Sequence, residues 1–241
     1  MTARVDLPVP ERVLAIGAHP DDIEFGCGAT LAKWAAAGCE ITLCICTDGA
    51  KGTWDPNADT AALIALRESE QRDAAKVLGA TFVVFLRWVD GELEATMAGR
   101  QTVCRVIRET RPQVVLAHDP WQPYRLHPDH HAAGMLAVGG IVAARDPHFF
   151  PEQAMTPHRP DTLLLFEPGR VDHVEDVTGF VDAKIEALLA HRSQWQSTMG
   201  IHAAPDAERT AFAEQLHAEA RAAGLHAGLR AAEAFARLDD L

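Results

Sequence analysis

The stretch RVLAIGAHPDDIEFGCGATLAKWAAAG, residues 12–38, decides the fold class of this chain. Its first seven residues (12–18) are an apolar run typical of a β-strand that is buried on both faces. Ala-rich sequence then runs from Asp22 to Gly38, and glycine is the usual residue just past the end of a helix. The stretch is therefore predicted to be a buried strand followed directly by a helix.

The same alternation of short apolar runs and longer helical stretches continues along the chain. Strands are predicted at 40–47, 81–86, 113–118, 162–167 and 173–178, and helices at 60–79, 98–110 and 129–145. Residues 146–160 are rich in proline and are predicted to form a loop across the surface. Four successive strand–helix units indicate a parallel sheet with right-handed crossovers.

These elements predict an α/β fold: a Rossmann-like, mostly parallel sheet flanked by helices. From about residue 180 onward the sequence is Ala-rich with interspersed charges, and it is predicted to stay helical to the C-terminus. There is no internal repeat and no low-complexity linker. The expected organisation is a single domain, 1–241, with a Rossmann-like core at about 12–180 and a helical C-terminal extension at about 181–241.

Composition and charge narrow the classes of function. Lys and Arg number 22 against 34 Asp and Glu, a net charge of -12, which argues against nucleic acid as a partner. No apolar run approaches the ~20 residues that span a bilayer, and the N-terminus lacks the apolar core of a signal peptide. The cysteines are odd in number without a CxxC pair, which favours small core residues in a reduced compartment. The expected location is cytoplasmic.

Polar residues follow each of the first four predicted strands, at the point where the strand ends. These clusters are residues 18–22, 47–49, 88–90 and 118–120. In an open parallel sheet, ligands bind beyond the carboxyl ends of the strands. The four clusters are therefore expected to converge on one crevice.

His19-Pro20-Asp21-Asp22 is the cluster with the clearest chemistry. Proline keeps the chain out of a helix between the imidazole and the carboxylates, so His19 and Asp22 can both reach one metal ion while Asp21 stays free to accept a proton. The alternative is that Asp21 or Asp22 simply caps the helix that follows, since aspartate is a preferred N-cap residue.

A second imidazole–proline–carboxylate set, RLHPDHH, stands at 125–131. Together with His19 and Asp22, His130 would complete a site of two histidines and one carboxylate with an open position for water, which is the layout of catalytic zinc sites. Iron(II) or manganese remains open for such donors. The alternative is that these are surface histidines at the start of a helix: His127, His130 and His131.

These motifs resemble the PIG-L/LmbE-like family of zinc-dependent de-N-acetylases. The resemblance rests on AHPDDIEFGCGATLAKW, the downstream TDGAKG, and HPDH, and it runs through most of the chain. RESEQRDAAKVLGA (67–80) resembles the Arg-x-x-Glu helix of the family, and KIEALLAHRSQ (184–194) resembles its C-terminal Lys…His-x-Ser-Gln stretch. One departure is Ala29, where glycine is frequent in the family.

The resemblance implies a role for each matching residue. His19, Asp22 and His130 look like the ligands of one zinc ion per chain, and Asp21 looks like the general base. His127 looks like the histidine that stabilises the oxyanion or protonates the leaving amine, and Asp129 like the aspartate that orients its ring. Arg67 and Glu70 look like supports of the site, and Arg67 is expected to contact substrate.

What the resemblance implies about activity is a metal-dependent hydrolase that removes an N-acetyl or related N-acyl group from an N-acetylglucosamine-type conjugate, a small-molecule substrate, through a zinc-activated water. The chemistry agrees, because hydrolysis of an amide needs an activated water, a base and a stabilised oxyanion. One alternative uses the same metal site for another hydrolytic or hydratase reaction on a small polar metabolite. The other is a nucleotide-binding module, for which Gly26-Cys27-Gly28 is a weak fragment of a phosphate-binding fingerprint.

Weaker signals concern the substrate and the C-terminal part. Four aromatic residues in the predicted rim loops could stack on a sugar or pin their loops: Trp54, Trp88, Trp121 and Tyr124. Asp48 could bind a substrate hydroxyl or cap the turn at Gly49, and His191 could serve the site or only end a helix. Other histidines are expected at the surface: His148, His158, His173, His202, His217 and His226. The C-terminal helices could also pack against a second copy in a homo-oligomer.

Overall fold

The structure, a computed structural model, describes residues 3–202 and 204–241. Its helices and strands follow one another in the order β1 (Arg4–Val5), β2 (Arg12–Gly17), α1 (Asp22–Ala36), β3 (Glu40–Thr47), α2 (Thr60–Leu78), β4 (Phe82–Trp88), α3 (Met97–Thr110), β5 (Val114–His118), α4 (Pro128–Arg145), β6 (Thr162–Phe166), β7 (His173–Asp176), α5 (Val181–Ala190), α6 (Pro205–Leu225) and β8 (Ala232–Asp239). Short 3-10 turns occur at Pro151–Gln153 and Arg192–Gln194.

The strands form one mixed sheet in the order β1-β7-β8-β6-β5-β2-β3-β4. Strands β2 to β6 are parallel to their neighbours among themselves, which confirms the predicted parallel sheet. The chain leaves β2 towards β3 on one side, whereas β5 pairs with the other side of β2. The strand order therefore reverses at β2 and β5, and a crevice opens there beyond the carboxyl ends of the strands.

Helices cover both faces of the sheet, as buried parallel strands require. Side chains of α3 and α4, among them Val103 and Leu136, pack on one face. On the other face α1 and α2 contribute Trp34 and Leu78. The cysteines are buried and unpaired, as the sequence predicted: Cys27, Cys39, Cys44, Cys46 and Cys104. Within residues 3–202 and 204–241, no helix is long and apolar enough to cross a membrane.

The C-terminal part differs from its prediction. It contains α5 and α6, but residues 232–239 form strand β8, which runs antiparallel to both β6 and β7. The prediction of helix to the C-terminus was wrong here, because Ala, Glu and Arg favour a helix locally while hydrogen bonding on both sides makes this segment a strand.

The surface position expected for His173 was also wrong. Its side chain is fully buried at the start of β7, with Nε2 2.8 Å from Oε1 of Glu175. The two-residue strand β1, which pairs with β7 at the edge of the sheet, was not predicted either.

Candidate active site

The loop between β2 and α1 places two carboxylates in different environments. Asp21 has left-handed backbone (φ 95°) at the N-cap position, yet its side chain makes no capping hydrogen bond. The backbone N–H of Asp21 donates to Oε1 of Gln71 (3.1 Å). Asp22 Oδ2 accepts a hydrogen bond of 2.7 Å from the N–H of His19. The capping alternative therefore does not account for the Asp21 carboxylate.

His19, Asp22 and His130 meet at the crevice. Nδ1 of His19 lies 3.2 Å from Asp22 Oδ2, and Nε2 of His130 lies 3.3 Å from Asp22 Oδ1. Two ligands of a tetrahedral zinc ion with bonds of about 2.0 Å lie roughly 3.3 Å apart. The two separations involve different oxygens of Asp22, so binding of one ion by all three residues stays a prediction. Among the described residues, three groups have donor atoms within 4.8 Å of one another: His19 with His127 and His130, Asp22 with His118 and His130, and His19 with Asp90 and Asp129.

His19 is surrounded by further carboxylates. Its Nε2 lies 3.1 Å from both Asp90 Oδ1 and Asp129 Oδ2. Burial would lower the pKa of His19, but Asp22, Asp129 and Asp90 outweigh it and raise that pKa to about 12. A metal ion bound to His19 must therefore displace a proton, so metal affinity is expected to rise with pH.

Asp129 contacts His19 rather than the ring of His127. Its carboxylate also accepts hydrogen bonds from the N–H groups of Gly91 (2.7 Å) and Leu93 (3.2 Å). Only the backbone N–H of Asp129 faces His127, donating to Nδ1 at 3.3 Å. Orientation of the His127 ring by the Asp129 carboxylate, which the resemblance implied, is therefore not the arrangement in this structure.

His118, at the end of β5, lies in the site, as expected from its cluster at the strand end, although the sequence analysis did not interpret it as a ligand. It is buried, with Nε2 3.2 Å from Asp22 Oδ2 and Nδ1 3.5 Å from Glu167 Oε2, and it stacks on His130. Burial would raise the pKa of Asp22, but His130, His118 and His19 hold it well below its usual range. Asp22 is therefore ionised and ready to bind a cation.

Asp21 has the environment of a general base. Its carboxylate is buried, with Oδ2 3.5 Å from Nη2 of Arg67. Burial raises its pKa to about 6, although Arg67 and His191 act in the opposite direction. A carboxylate with a pKa near the working pH accepts and returns a proton efficiently.

Arg67 ties two loops together beside Asp21. Its Nη1 donates to the carbonyl of Gly49 (2.8 Å) and its Nη2 to that of Pro20 (2.7 Å). A Cβ at Gly49 or Gly52 would lie 2.7 Å or 2.3 Å from Nη1, so a side chain at either position would have to displace the Arg67 guanidinium group. Contact between Arg67 and substrate stays a prediction.

His127 stands at the mouth of the site as the N-cap residue of α4. Because Nδ1 accepts the Asp129 N–H, the proton of the neutral ring is assigned to Nε2. Partial burial, together with His19 and His130, lowers the pKa of His127. The ring is therefore a neutral hydrogen-bond donor through Nε2.

The C-terminal stretch of the family resemblance closes the back of the site. Glu70 accepts hydrogen bonds from the N–H (2.9 Å) and the hydroxyl (2.6 Å) of Ser193, and Gln194 donates to the Gly52 carbonyl. His191 is fully buried, with Nε2 3.8 Å from Oε2 of Glu24. These residues attach α2 and the Gly52 loop to the segment after α5.

The resulting cleft has a volume of about 320 Å³. Its walls include the predicted ligands and base together with Asp90, Ser197 and Trp54, whose side chain is largely exposed. Tyr124 is 98% exposed outside this wall. Asp48 Oδ1 accepts the Ala50 N–H (3.0 Å), which is the turn-capping alternative.

The sequence analysis gave Asp90 and His118 no role in the site, and it missed Glu167. Asp90 and His118 belong to the polar clusters at strand ends, so the sequence predicted that they lie at the crevice but not what they do there. Glu167 follows β6 in the same way and has its pKa lowered to about 2: burial would raise it, but His118 and Arg125 outweigh burial.

The known proteins that resemble this chain include sugar deacetylases. The family described as GlcNAc-PI de-N-acetylase (PIG-L) matches residues 14–139, a range that holds His19, Asp21, Asp22 and His130. The diacetylchitobiose deacetylase of Thermococcus kodakarensis is 32% identical over 188 residues, covering 77% of this chain and 70% of that protein.

Two further similarities extend over most of the chain. The 1D-myo-inositol 2-acetamido-2-deoxy-alpha-D-glucopyranoside deacetylase of Streptomyces scabiei is 31% identical over 251 residues, covering 77% of each protein. The structure of the N,N'-diacetylchitobiose deacetylase from Pyrococcus horikoshii superimposes with a TM-score of 0.85 at 29% identity, covering 95% of this chain and 84% of that one.

Proposed function

The chain belongs to the GlcNAc-PI de-N-acetylase (PIG-L) family, and we propose that it hydrolyses the acetamide of an N-acetylglucosamine-type conjugate. The main support for the proposal is the carboxylate of Asp21, which is buried and makes no capping hydrogen bond to helix α1. It stands next to three possible metal-binding side chains: His19, Asp22 and His130. A metal-dependent amide hydrolase needs such a base beside the residues that bind its metal ion.

The metal in this proposal is one zinc ion per chain, held by His19, Asp22 and His130. Two imidazoles and a carboxylate suit zinc and leave a position open for water. When bound, zinc lowers the pKa of water and polarises a carbonyl group. Asp90 and Asp129 orient His19 through its other ring nitrogen, as outer carboxylates do for metal-binding histidines.

Two residues of the chain handle the proton and the developing charge. Asp21 takes a proton from the attacking water and returns it to the amide nitrogen as the C–N bond breaks, which yields acetate and a free amine. His127 donates its Nε2–H to the carbonyl oxygen as negative charge develops there. Its lowered pKa favours this donor role over transfer of a proton to the leaving amine.

The substrate in this proposal is a small amino-sugar conjugate. Trp54 in the cleft wall offers a flat apolar face to a sugar ring, while Arg67 supports the base from behind. The relatives named above act on a disaccharide and on an inositol conjugate, which suggests the same class here. Five buried, unpaired cysteines support a reducing, cytoplasmic location.

The test is acetate release from a panel of N-acetylated amino sugars with wild type, Asp21→Asn and Asp73→Asn. Asp73 is an exposed partner of Lys76 on α2, so its variant is the matched control. Asp21→Asn should bind as much zinc as wild type but turn over about 100- to 10,000-fold more slowly, the usual contribution of a general base. The control should match wild type.

Two results would contradict the proposal. Turnover by Asp21→Asn within a few-fold of wild type would remove Asp21 as the base. No acetate from any amide, together with hydration of an unsaturated acid by the zinc-loaded protein, would favour the hydratase alternative instead.

A further inference from the structure

Helix α1 is broken one turn after the residues of the site. Cys27 has φ -151° and ψ 19°, which is outside the helical region. The short segment before the break holds Asp22, and the longer segment after it packs against the sheet through Leu31 and Trp34. The break therefore sets the direction of the turn that carries Asp22 relative to the rest of the molecule.

A buried ion pair occupies the break. In an unbroken helix, the N–H of Ala29 would donate to the carbonyl of Phe25, four residues earlier. Here that N–H donates to Oε1 of Glu233 (3.2 Å), and that carbonyl accepts from Nζ of Lys184 (2.6 Å). Glu233 Oε2 also accepts the N–H of Thr30 (2.8 Å).

The two charged side chains also bind each other. Lys184 Nζ lies 2.8 Å from Glu233 Oε1, and the side chains are only 13% and 6% exposed. Each end of the break thus meets a charge of the favourable sign: a carboxylate at freed N–H groups and an ammonium at a freed carbonyl. Lys184 comes from α5 and Glu233 from β8, so the C-terminal part supplies the whole pair.

Close packing at the break explains why glycine stands on both sides of Cys27. A Cβ at Gly26 would lie 2.4 Å from the ring of Phe166, and one at Gly28 would lie 3.3 Å from Cγ of Lys184. Gly-Cys-Gly therefore allows the close packing around the break. This accounts for the residues that resembled a fragment of a phosphate-binding fingerprint.

We propose that Lys184 and Glu233 are positioning residues, which hold the turn bearing Asp21 and Asp22 in the orientation that binds the metal ion and aims the base. The inference rests on the proposed function for its link to catalysis, but its structural part stands on the break itself. Loss of the pair would free the carbonyl of Phe25 and the N–H groups of Ala29 and Thr30, and the turn would then reorient.

A matched control pair exists in the same helix, after the break. Lys33 lies 2.6 Å from Glu175, with the side chains 18% and 0% exposed, so its burial resembles that of Lys184 and Glu233. Lys33 contacts Asp6 and Glu175 and none of the groups at the break. Glu175, however, lies directly opposite Glu233 across the β7–β8 ladder, so Lys33→Met is the control variant.

The experiment compares Lys184→Met and Glu233→Gln with Lys33→Met. Readouts are the melting temperature, the zinc affinity of the metal-free protein against a competing chelator, kcat and KM, and hydrogen exchange of residues 22–28. We expect all three variants to have a lower melting temperature. Only Lys184→Met and Glu233→Gln should bind zinc about 10-fold or more weakly, show a fall in kcat that exceeds the change in KM, and exchange faster at residues 22–28.

Lys184→Arg provides the rescue, because a guanidinium group can donate to both Phe25 and Glu233. It should restore most of the zinc affinity. If Lys184→Met does not fold, the isosteric Glu233→Gln carries the test, since one amide oxygen cannot replace both carboxylate oxygens.

The inference is overturned if all three variants have only a lower melting temperature and keep the zinc affinity and hydrogen exchange of wild type. Its failure differs from failure of the proposed function, in which wild type itself would release no acetate. Hydrogen exchange of the metal-free protein would still decide the positioning role in that case.

Discussion

His130 and His131 are neighbours in sequence, yet their rings meet different partners. His130 Nε2 faces Asp22, whereas Nδ1 of His131 lies 2.7 Å from the carbonyl of Pro120. The two neighbours therefore separate the proposed metal ligand, His130, from a histidine that contacts a loop. We predict that His130→Ala weakens zinc binding by more than about 100-fold while His131→Ala leaves it nearly unchanged.

Metal content of the purified variants, followed by titration against a chelator, checks this prediction. About one zinc per chain in wild type and in His131→Ala, and none in His130→Ala, is the expected pattern. Equal zinc in both variants would remove His130 from the ligand set.

Glu167 allows a prediction of pH dependence. Its pKa in the folded protein, about 2, lies below the ordinary 4.5 because His118 and Arg125 outweigh burial. The stability that this carboxylate contributes is therefore present above pH 4.5 and is lost as the pH falls towards 2. The side chain is 44% exposed, so screening by solvent limits the contribution to about 1 kcal/mol or less.

Urea unfolding of the metal-free protein tests the Glu167 prediction. Glu167→Gln should be less stable than wild type at pH 7, and the difference should shrink steadily between pH 5 and pH 3. A difference that is constant over this range would show that the effect comes from packing or hydrogen bonding rather than from ionisation.

At the scale of the element, α1 and α2 both have left-handed glycines just beyond their ends. Gly38 (φ 94°) would have open space around a Cβ, but a Cβ on Gly79 (φ 75°) would lie 2.9 Å from Cβ of Ala35. Any other residue in this conformation costs about 1–2 kcal/mol. Gly79→Ala should therefore destabilise the protein by about 1 kcal/mol more than Gly38→Ala, because two helices must also separate.

The difference in free energy of unfolding between these two variants is the measurement. Both substitutions share the backbone strain, so subtraction leaves the contact between α2 and α1. Equal values would mean that Ala35 moves away without cost.

At the scale of the whole molecule, β8 and β1 make very different contributions to one sheet. β8 is hydrogen-bonded on both sides and buries Phe235 completely, whereas β1 is a two-residue strand at the edge. Deletion of residues 232–241 should abolish cooperative folding, because β7 and β1 lose their connection to β6. Deletion of residues 1–5 should cost only a small part of the stability.

Circular dichroism melts of the two deletion variants distinguish these outcomes. A cooperative transition in the protein that lacks 232–241 would contradict the central position of β8. Such a protein would also lack Glu233, so its zinc affinity would show how far the site depends on the C-terminal part.

Much of the core could be predicted from sequence for a simple physical reason. Strands buried on both faces are continuous apolar runs, and helices between them end at residues such as Gly79, so each signal is local. The HPDD and HPDH sets could be placed at one edge because parallel strands align their carboxyl ends. The signals failed at β8, whose Ala-rich composition favours helix although its neighbours on both sides require a strand.

The sequence by itself therefore determined the parallel α/β architecture and brought His19, Asp22 and His130 to one crevice, since periodicity and topology need no knowledge of distant contacts. Only the tertiary structure decided that Asp129 contacts His19, that His118 contacts Asp22, and that Lys184 and Glu233 fill the break in α1. These contacts join residues about a hundred or more positions apart, and their partners are selected by packing of the whole chain, which no local pattern records.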